Sequence, residues 1–209
     1  MVILFIRIKR KLVRMAATAI TKLLLKEYGI PCGKELIAVG MPVIEKHAGS
    51  SITIGDNAVL CSADYSNPLG INHRCVIRTL APSAAIEIGN DVGMSGASIC
   101  AAFHVKIGND VMLGVNVHIC DTDFHPLKPE NRRYNDSAED VGVARTVIED
   151  NVWIGANVMV LKGVTIGKNS VIGAGSIVTG NIPANVIAAG IPARTIKPLV
   201  RDGSYEQIS

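Results

Sequence analysis

Aliphatic side chains return at every sixth position from Ile148 to Val178, at Ile148, Ile154, Val160, Ile166, Ile172 and Val178. An α-helix repeats its apolar face every 3.6 residues and a strand every 2, so this beat belongs to neither. It predicts stacked short strands joined by corners. Four residues after each aliphatic comes a second inward candidate, Val152, Val158, Val164, Ser170, Ser176 and Ile182, all small or β-branched. Gly155, Gly167 and Gly173 follow the aliphatic directly, where a tight corner is expected to need backbone freedom.

The same beat occurs earlier in the chain. It opens irregularly at Ile52-Thr-Ile54-Gly55, recurs at Ile88, Met94 and Cys100, and after a one-residue slip continues at Ile107, Leu113 and Ile119. Two stretches break it. Residues 61–85 hold a loop-like polar cluster of Asp64, Tyr65, Ser66, Asn67, Pro68, Asn72 and His73. The second break starts at Cys120-Asp-Thr-Asp-Phe-His-Pro-Leu127, and residues 126–147 run without hexad order, carrying Arg132, Arg133, Tyr134 and Arg145. A long irregular stretch on a rigid scaffold is where binding and catalytic groups concentrate. The beat then resumes unchanged, so this is an excursion and not a domain boundary. The chain divides into a segment at 1–50, a solenoid at 51–182 with its excursion, and a cap and tail at 183–209.

Residues 2–28 mix apolar and basic side chains and predict a helix, closed by Pro31 and Gly33. Its longest uncharged span, Met15 to Thr21, is too short to cross a bilayer, and no small-residue cleavage site follows, so neither a membrane span nor a secretory signal is expected. Two readings stand: the helix packs its apolar side on the first coil or on a neighbouring subunit, or it lies on a membrane surface. At the other end, the segment between Pro192 and Pro198 predicts a short helix capping the last coil.

Composition fits thin, repetitive layers: 48% of residues are hydrophobic but 4% aromatic, with 20 glycines, so the core is built from many small aliphatics. The net charge of +3 is unevenly placed. Residues 1–26 carry seven of the 21 basic side chains (Arg7, Lys9, Arg10, Lys11, Arg14, Lys22 and Lys26) and none of the 18 acidic ones. The body is mildly acidic, which disfavours nucleic acid as a partner. Cys32, Cys61, Cys75, Cys100 and Cys120 have neither metal-ligand nor disulfide-framework spacing, and a reducing cytosol is the simpler setting. No metal is expected.

Five segments together resemble the hexapeptide-repeat acyltransferases, in the branch of galactoside, maltose and surface-polysaccharide O-acetyltransferases. They are Asp121-Thr-Asp-Phe-His125-Pro, Ile154-Gly-Ala-Asn-Val, Gly163-Val-Thr-Ile-Gly, Ile172-Gly-Ala-Gly-Ser-Ile-Val-Thr and Ala189-Gly-Ile-Pro-Ala-Arg194. The resemblance spans roughly residues 52–199. It implies an all-β fold, a left-handed parallel β-helix with three hexads per coil, assembled as a homotrimer with active sites between subunits. Its handedness comes from the family, since the general rule for parallel crossovers gives the opposite hand. A small helical domain that often precedes the β-helix in this branch is replaced here by the basic arm. That departure shifts the expected acceptor from a small free sugar to a polysaccharide precursor, and the location to the cytoplasm with peripheral contact at the inner membrane face.

Moving an acetyl group from a thioester to a hydroxyl needs a base near neutral pKa, and no metal. His125 alone reads as a solvent-facing loop residue, but it matches the family's catalytic histidine. Asp121 or Asp123 is placed to orient its imidazole, or serves a turn; Asp123 is taken as the second catalytic candidate. The resemblance puts acetyl-CoA against Ala156, Ala174, Thr179, Arg194 and Lys197, with Trp153 lining the groove or packing between subunits. Gly180 stands where some relatives carry a basic residue. Ser95, with Asn72 and His73 from an adjacent coil, is the candidate acceptor site. His118, just before Ile119, is expected to point outward. Rival readings are another acceptor, such as an amino sugar, serine or xenobiotic alcohol, and a non-enzymatic solenoid scaffold.

Overall fold

The computed structural model describes residues 2–134 and 140–199. The rest of the excursion, 135–139, and the polar tail after 199 lie outside the described residues. Among the described residues the strands form three sheets, the faces of a prism. Face one stacks Ile37–Val39, Val59–Cys61, Gly93–Ser95, Met112–Val115, Trp153–Ile154, Val171–Ile172, Val186–Gly190 and Ala193–Pro198. Face two stacks Val43–Glu45, Val76–Thr79, Ser98–Ala101, His118–Cys120, Met159–Val160 and Ile177–Val178. Face three stacks Ser51–Ile54, Ala85–Ile88, His104–Ile107, Thr146–Ile148 and Thr165–Ile166. All neighbours within a face run parallel except the last pair of face one.

Three hexads make one coil, so residues 18 apart stack. Leu113, Ile154 and Ile172 align on face one, Ile119, Val160 and Val178 on face two, and Ile107, Ile148 and Ile166 on face three. All nine are buried, as are Val152, Val158, Val164, Ser170, Ser176 and Ile182 at the second inward positions. Each aliphatic withdrawn from water contributes about 1.5–3 kcal/mol. Parallel strands stack about 4.8 Å apart, so the core grows as ladders of like side chains.

The corners differ from the expectation placed on glycine. Left-handed backbone falls at Asn151 (φ 55°), Asn157 (57°), Gly163 (76°), Asn169 (64°) and Gly175 (72°), again every sixth residue. Asparagine tolerates this region through local hydrogen bonding. Its amides also form ladders: Asn151 Nδ2 donates to Asn169 Oδ1 at 3.0 Å, and Asn169 Nδ2 to Asn185 Oδ1 at 2.7 Å. Gly155 and Gly173 are needed for space. A Cβ on Gly155 would stand 2.7 Å from the Ala174 nitrogen, and one on Gly173 would stand 2.8 Å from Ala189 Cβ.

Helix α1 (Val2–Glu27) covers the open end of the first coil, which would otherwise expose a strand edge. Thr18 Oγ1 accepts from Ala38 N at 3.0 Å, and Ala17, Thr21 and Leu25 are buried. This contact involves only the helix's C-terminal half and its narrower apolar stripe. Phe5, Ile8, Leu12, Met15 and Leu23 point away from the body, so the wide apolar side does not pack on the first coil.

The expected C-terminal cap helix is not formed. Val186–Gly190 and Ala193–Pro198 make an antiparallel hairpin that ends face one. The segment between the two prolines is too short to nucleate a helix, and pairing satisfies its backbone instead. The inward serines explain how the hairpin is held. Ser170 Oγ donates to Pro183 O (2.7 Å) and accepts from Val186 N (3.2 Å), while Ser176 Oγ donates to Gly173 O (2.6 Å) and accepts from Gly190 N (3.0 Å).

Candidate active site

The excursion leaves the prism through a narrow antiparallel neck. Thr122 bridges Val143, Asp123 N donates to Gly142 O (3.0 Å), and Ala144 N donates to Asp121 O (2.9 Å). Asp121 is fully buried, its carboxylate accepting the backbone N–H of Ala102 (2.7 Å) and Phe103 (2.9 Å). Asp123 faces Lys162 of the next coil, with Oδ2 to Nζ at 3.0 Å. Both aspartates thus build the neck, and neither hydrogen-bonds the His125 ring.

Phe124 has φ 63°, sparsely populated for a bulky residue, and its N–H donates to Thr122 Oγ1 at 3.1 Å. This left-handed step turns the chain outward and presents His125, whose side chain is exposed. His125 lines a cleft of about 530 Å³ with Pro129, Asn131, Arg132, Arg133 and Tyr134. Arg132 is spent on the loop itself, donating to Pro126 O (3.0 Å) and Leu127 O (2.6 Å). Arg133 stacks on Tyr134 at 5.6 Å.

On the other side of the same segment lies a second cleft, of about 400 Å³, on the outer surface of face two. Asp123 and Phe124 border it, with Ser98, Cys100, His118, Cys120 and Met159 among its walls. His118 does point outward, and it belongs to this cleft. The ring of His73 stacks on it, centroids 5.3 Å apart, and His73 Nε2 meets Ser98 Oγ at 2.9 Å. Burial, reinforced by His73, holds His118 below its ordinary pKa. His118 was legible as an outward position flanking Ile119, but its partner comes from a loop 45 residues away in sequence.

Of the candidate acceptor residues, His73 therefore reaches face two, bordering the His125 segment. Ser95 and Asn72 sit at the corner between faces one and two. Ser95 Oγ accepts from Asn67 Nδ2 at 3.2 Å, and Asn72 N donates to the buried Asn116 Oδ1 at 2.9 Å.

The candidate donor residues fall into two groups. Ala156 and Ala174 stack on one corner, where Gly175 N donates to Ala156 O at 2.8 Å. Beside them Gly173 packs under Ala189, which pairs with Arg194. Small side chains leave this corner's backbone open, and the lack of room for a Cβ on Gly155 and Gly173 keeps the coils close. Arg194 and Lys197 lie on a strand, not a helix. Their separation of three would put them on opposite faces, but a bulge intervenes: Arg194 pairs with Ala189 and Lys197 with Ile187. Those partners are two apart, so both cations share a face. Trp153 is half exposed on face one, between Met112 and Val171, beside the same corner. Thr179 follows strand Ile177–Val178, one corner further round, and is not joined to this column within the protomer.

Known proteins give this arrangement a context. A family model described as bacterial transferase hexapeptide (six repeats) matches residues 145–180. A galactoside O-acetyltransferase of Lactococcus lactis is 48% identical over 176 residues, covering 78% of this chain and 78% of that protein. A galactoside O-acetyltransferase of Escherichia coli is 45% identical over 104 residues, about half of each chain (49% and 49%). Among solved structures, a galactoside acetyltransferase in complex with coenzyme A matches with a TM-score of 0.52 and 31% identity, covering 86% of this chain and 70% of that one.

Proposed function

Because the chain belongs to the hexapeptide-repeat acetyltransferases that include the galactoside O-acetyltransferases, we propose that it moves an acetyl group from acetyl-CoA to a hydroxyl of a sugar or glycan precursor. The observation that carries this is the pairing of two surfaces on one rigid prism. One is an exposed histidine held out by a built neck; the other is an open-backbone alanine corner leading to two cations on one face.

In this reading His125 accepts the hydroxyl proton as the oxygen attacks the thioester carbonyl. The carbon–sulfur bond then breaks and the imidazolium returns its proton to the departing thiolate. Ala156 and Ala174 let a pantetheine arm exchange hydrogen bonds with main-chain groups, and Arg194 and Lys197 meet phosphates. Ser95, Asn72 and His73 line the approach of the acceptor.

The solenoid is taken as left-handed and the assembly as a homotrimer. Two features support a groove shared between subunits: Thr179 stands one corner away from the alanine column, and Trp153 and Met112 expose apolar surface beside it. The arm supports a cytoplasmic protein peripheral at a membrane, with its wide apolar side outward and basic residues behind it. No described helix is long and apolar enough to cross a membrane.

Mass spectrometry of sugar and glycan-precursor panels incubated with acetyl-CoA tests the reaction. An acetyl increment that depends on the chain is expected, and its absence across the panel would overturn the reading. Light scattering checks for the trimer mass, and flotation with anionic vesicles checks the arm.

A further inference from the structure

Building on the glycan reading of the acceptor, we propose that the cleft between α1 and the loop at Asp64–Ser66 is a phosphoryl-binding site for a phosphate or diphosphate carried by that acceptor. The cleft has a volume of about 400 Å³ and is lined by Arg7, Arg10, Lys11, Arg14, Val39, Tyr65 and Ser66.

The spacing of the four cations, i, i+3, i+4 and i+7, puts them on one helix face. Continued toward the C-terminus, that face becomes Ala17, Thr21 and Leu25, which pack on the body. The basic stripe is therefore turned toward the protein, and the apolar side holding Phe5, Leu12 and Leu23 is turned away. A helix that merely needed solvation would place its charges the other way round.

Among the described residues none of the four cations forms an ion pair. The nearby carboxylate of Asp64 accepts the Tyr65 N–H at 2.7 Å. Four like charges crowded into one cleft repel one another, and a multiply charged oxyanion relieves that repulsion. The site is also partly ordered. The Arg10 guanidinium stacks on the Tyr65 ring at 4.6 Å, which fixes the plane of its donor fork.

Position assigns the phosphate to the acceptor and not to coenzyme A. Val39 lies in the first strand of face one and Arg194 in the last of eight, seven spacings or about 34 Å away. The acceptor residues are much nearer. Asn67, next to Ser66, bonds Ser95, and the same loop ends in His73 stacked on His118. From the first strand of face two to that of His118 is three spacings, about 14 Å, a span that a short oligosaccharide covers.

The test is calorimetric titration of the full chain with inorganic pyrophosphate, paired with flotation on phosphatidylcholine vesicles with and without phosphatidic acid. Pyrophosphate binding is expected to weaken about tenfold or more in Arg10→Gln/Arg14→Gln, because each removed charged hydrogen bond carries about a factor of ten. With saturating coenzyme A present to occupy the donor site, Arg10→Lys/Arg14→Lys is expected to retain most of it, and thermal melting to show that all variants fold. Vesicle capture that requires phosphatidic acid and is lost in the glutamine variant assigns the phosphate to a lipid carrier. Pyrophosphate binding without capture assigns it to a soluble one. No binding in either arm, or binding that ignores Arg10 and Arg14, overturns the proposal. Neither arm requires acetyl transfer, so an inactive enzyme that still binds would sink the proposed reaction while leaving the site standing.

Discussion

Asp123 and Lys162 are paired across adjacent coils, Oδ2 to Nζ at 3.0 Å, and this pair closes the neck from which His125 projects. Roles that one short motif suggests together are thereby separated: the aspartate holds the loop and the histidine faces the cleft. His125→Asn is expected to lower turnover by about 10²–10⁴, the range of a lost general base, with coenzyme A affinity and melting unchanged. Asp123→Asn should cost less, and Asp123→Asn combined with Lys162→Met should cost no more than either alone. Single-turnover rates and a double-mutant cycle read both. A turnover loss in Asp123→Asn equal to that of His125→Asn would return the aspartate to the imidazole.

How far the sequence carried depended on whether a feature was periodic. The ladders of Ile148, Ile154 and Val160 were visible because every coil repeats the same demand for a buried aliphatic. The corner positions were visible too, but their physics was divided between two residue types. Asn151 and Asn169 supply the left-handed backbone, and Gly155 and Gly173 supply the close approach. Three things were hidden, each for want of a repeat. The His73–His118 stack joins a loop to a strand. Lys162 meets Asp123 across an excursion. The hairpin that replaces the cap helix depends on edge pairing, which no local pattern announces.

The bulge in the hairpin brings Arg194 and Lys197 to one side, so both charges should act on the same ligand. Arg194→Ala is expected to weaken coenzyme A binding about tenfold, and dephosphocoenzyme A to narrow the gap between wild type and variant if this arginine meets the removed phosphate. Calorimetry with the two ligands decides. Equal affinities in wild type and variant would take Arg194 out of the donor site.

His118 is held below its ordinary value of 6.5 by burial first and by His73 second. The unfolded chain then binds a proton that the folded one refuses, so the stability involved is full above pH 6.5 and drains away as the pH falls toward the lowered folded value. His118→Phe keeps the ring against His73 and removes the titration. Its melting temperature should fall less than the wild type's between pH 7.5 and 5.5, about the range flanking the ordinary histidine value. Parallel pH profiles would deny His118 any part in acid sensitivity.

The asparagine corners make the last test, because one position combines a backbone demand with two side-chain bonds. Asn169 has φ 64°, accepts from Asn151 and donates to Asn185. Asn169→Gly keeps the backbone and loses the ladder, at about 1 kcal/mol per exposed or half-buried bond. Asn169→Ala loses the ladder and also forces a Cβ into the left-handed region, at about 1–2 kcal/mol. Glycine's larger unfolded-state entropy takes back about 0.5–1 kcal/mol of its advantage. Alanine should therefore be the less stable of the two by about 0.5–1 kcal/mol in urea unfolding, the reverse of the order expected in a helix or strand. An alanine variant more stable than the glycine one would mean that the corner relaxes and that the ladder, not the backbone angle, selects asparagine.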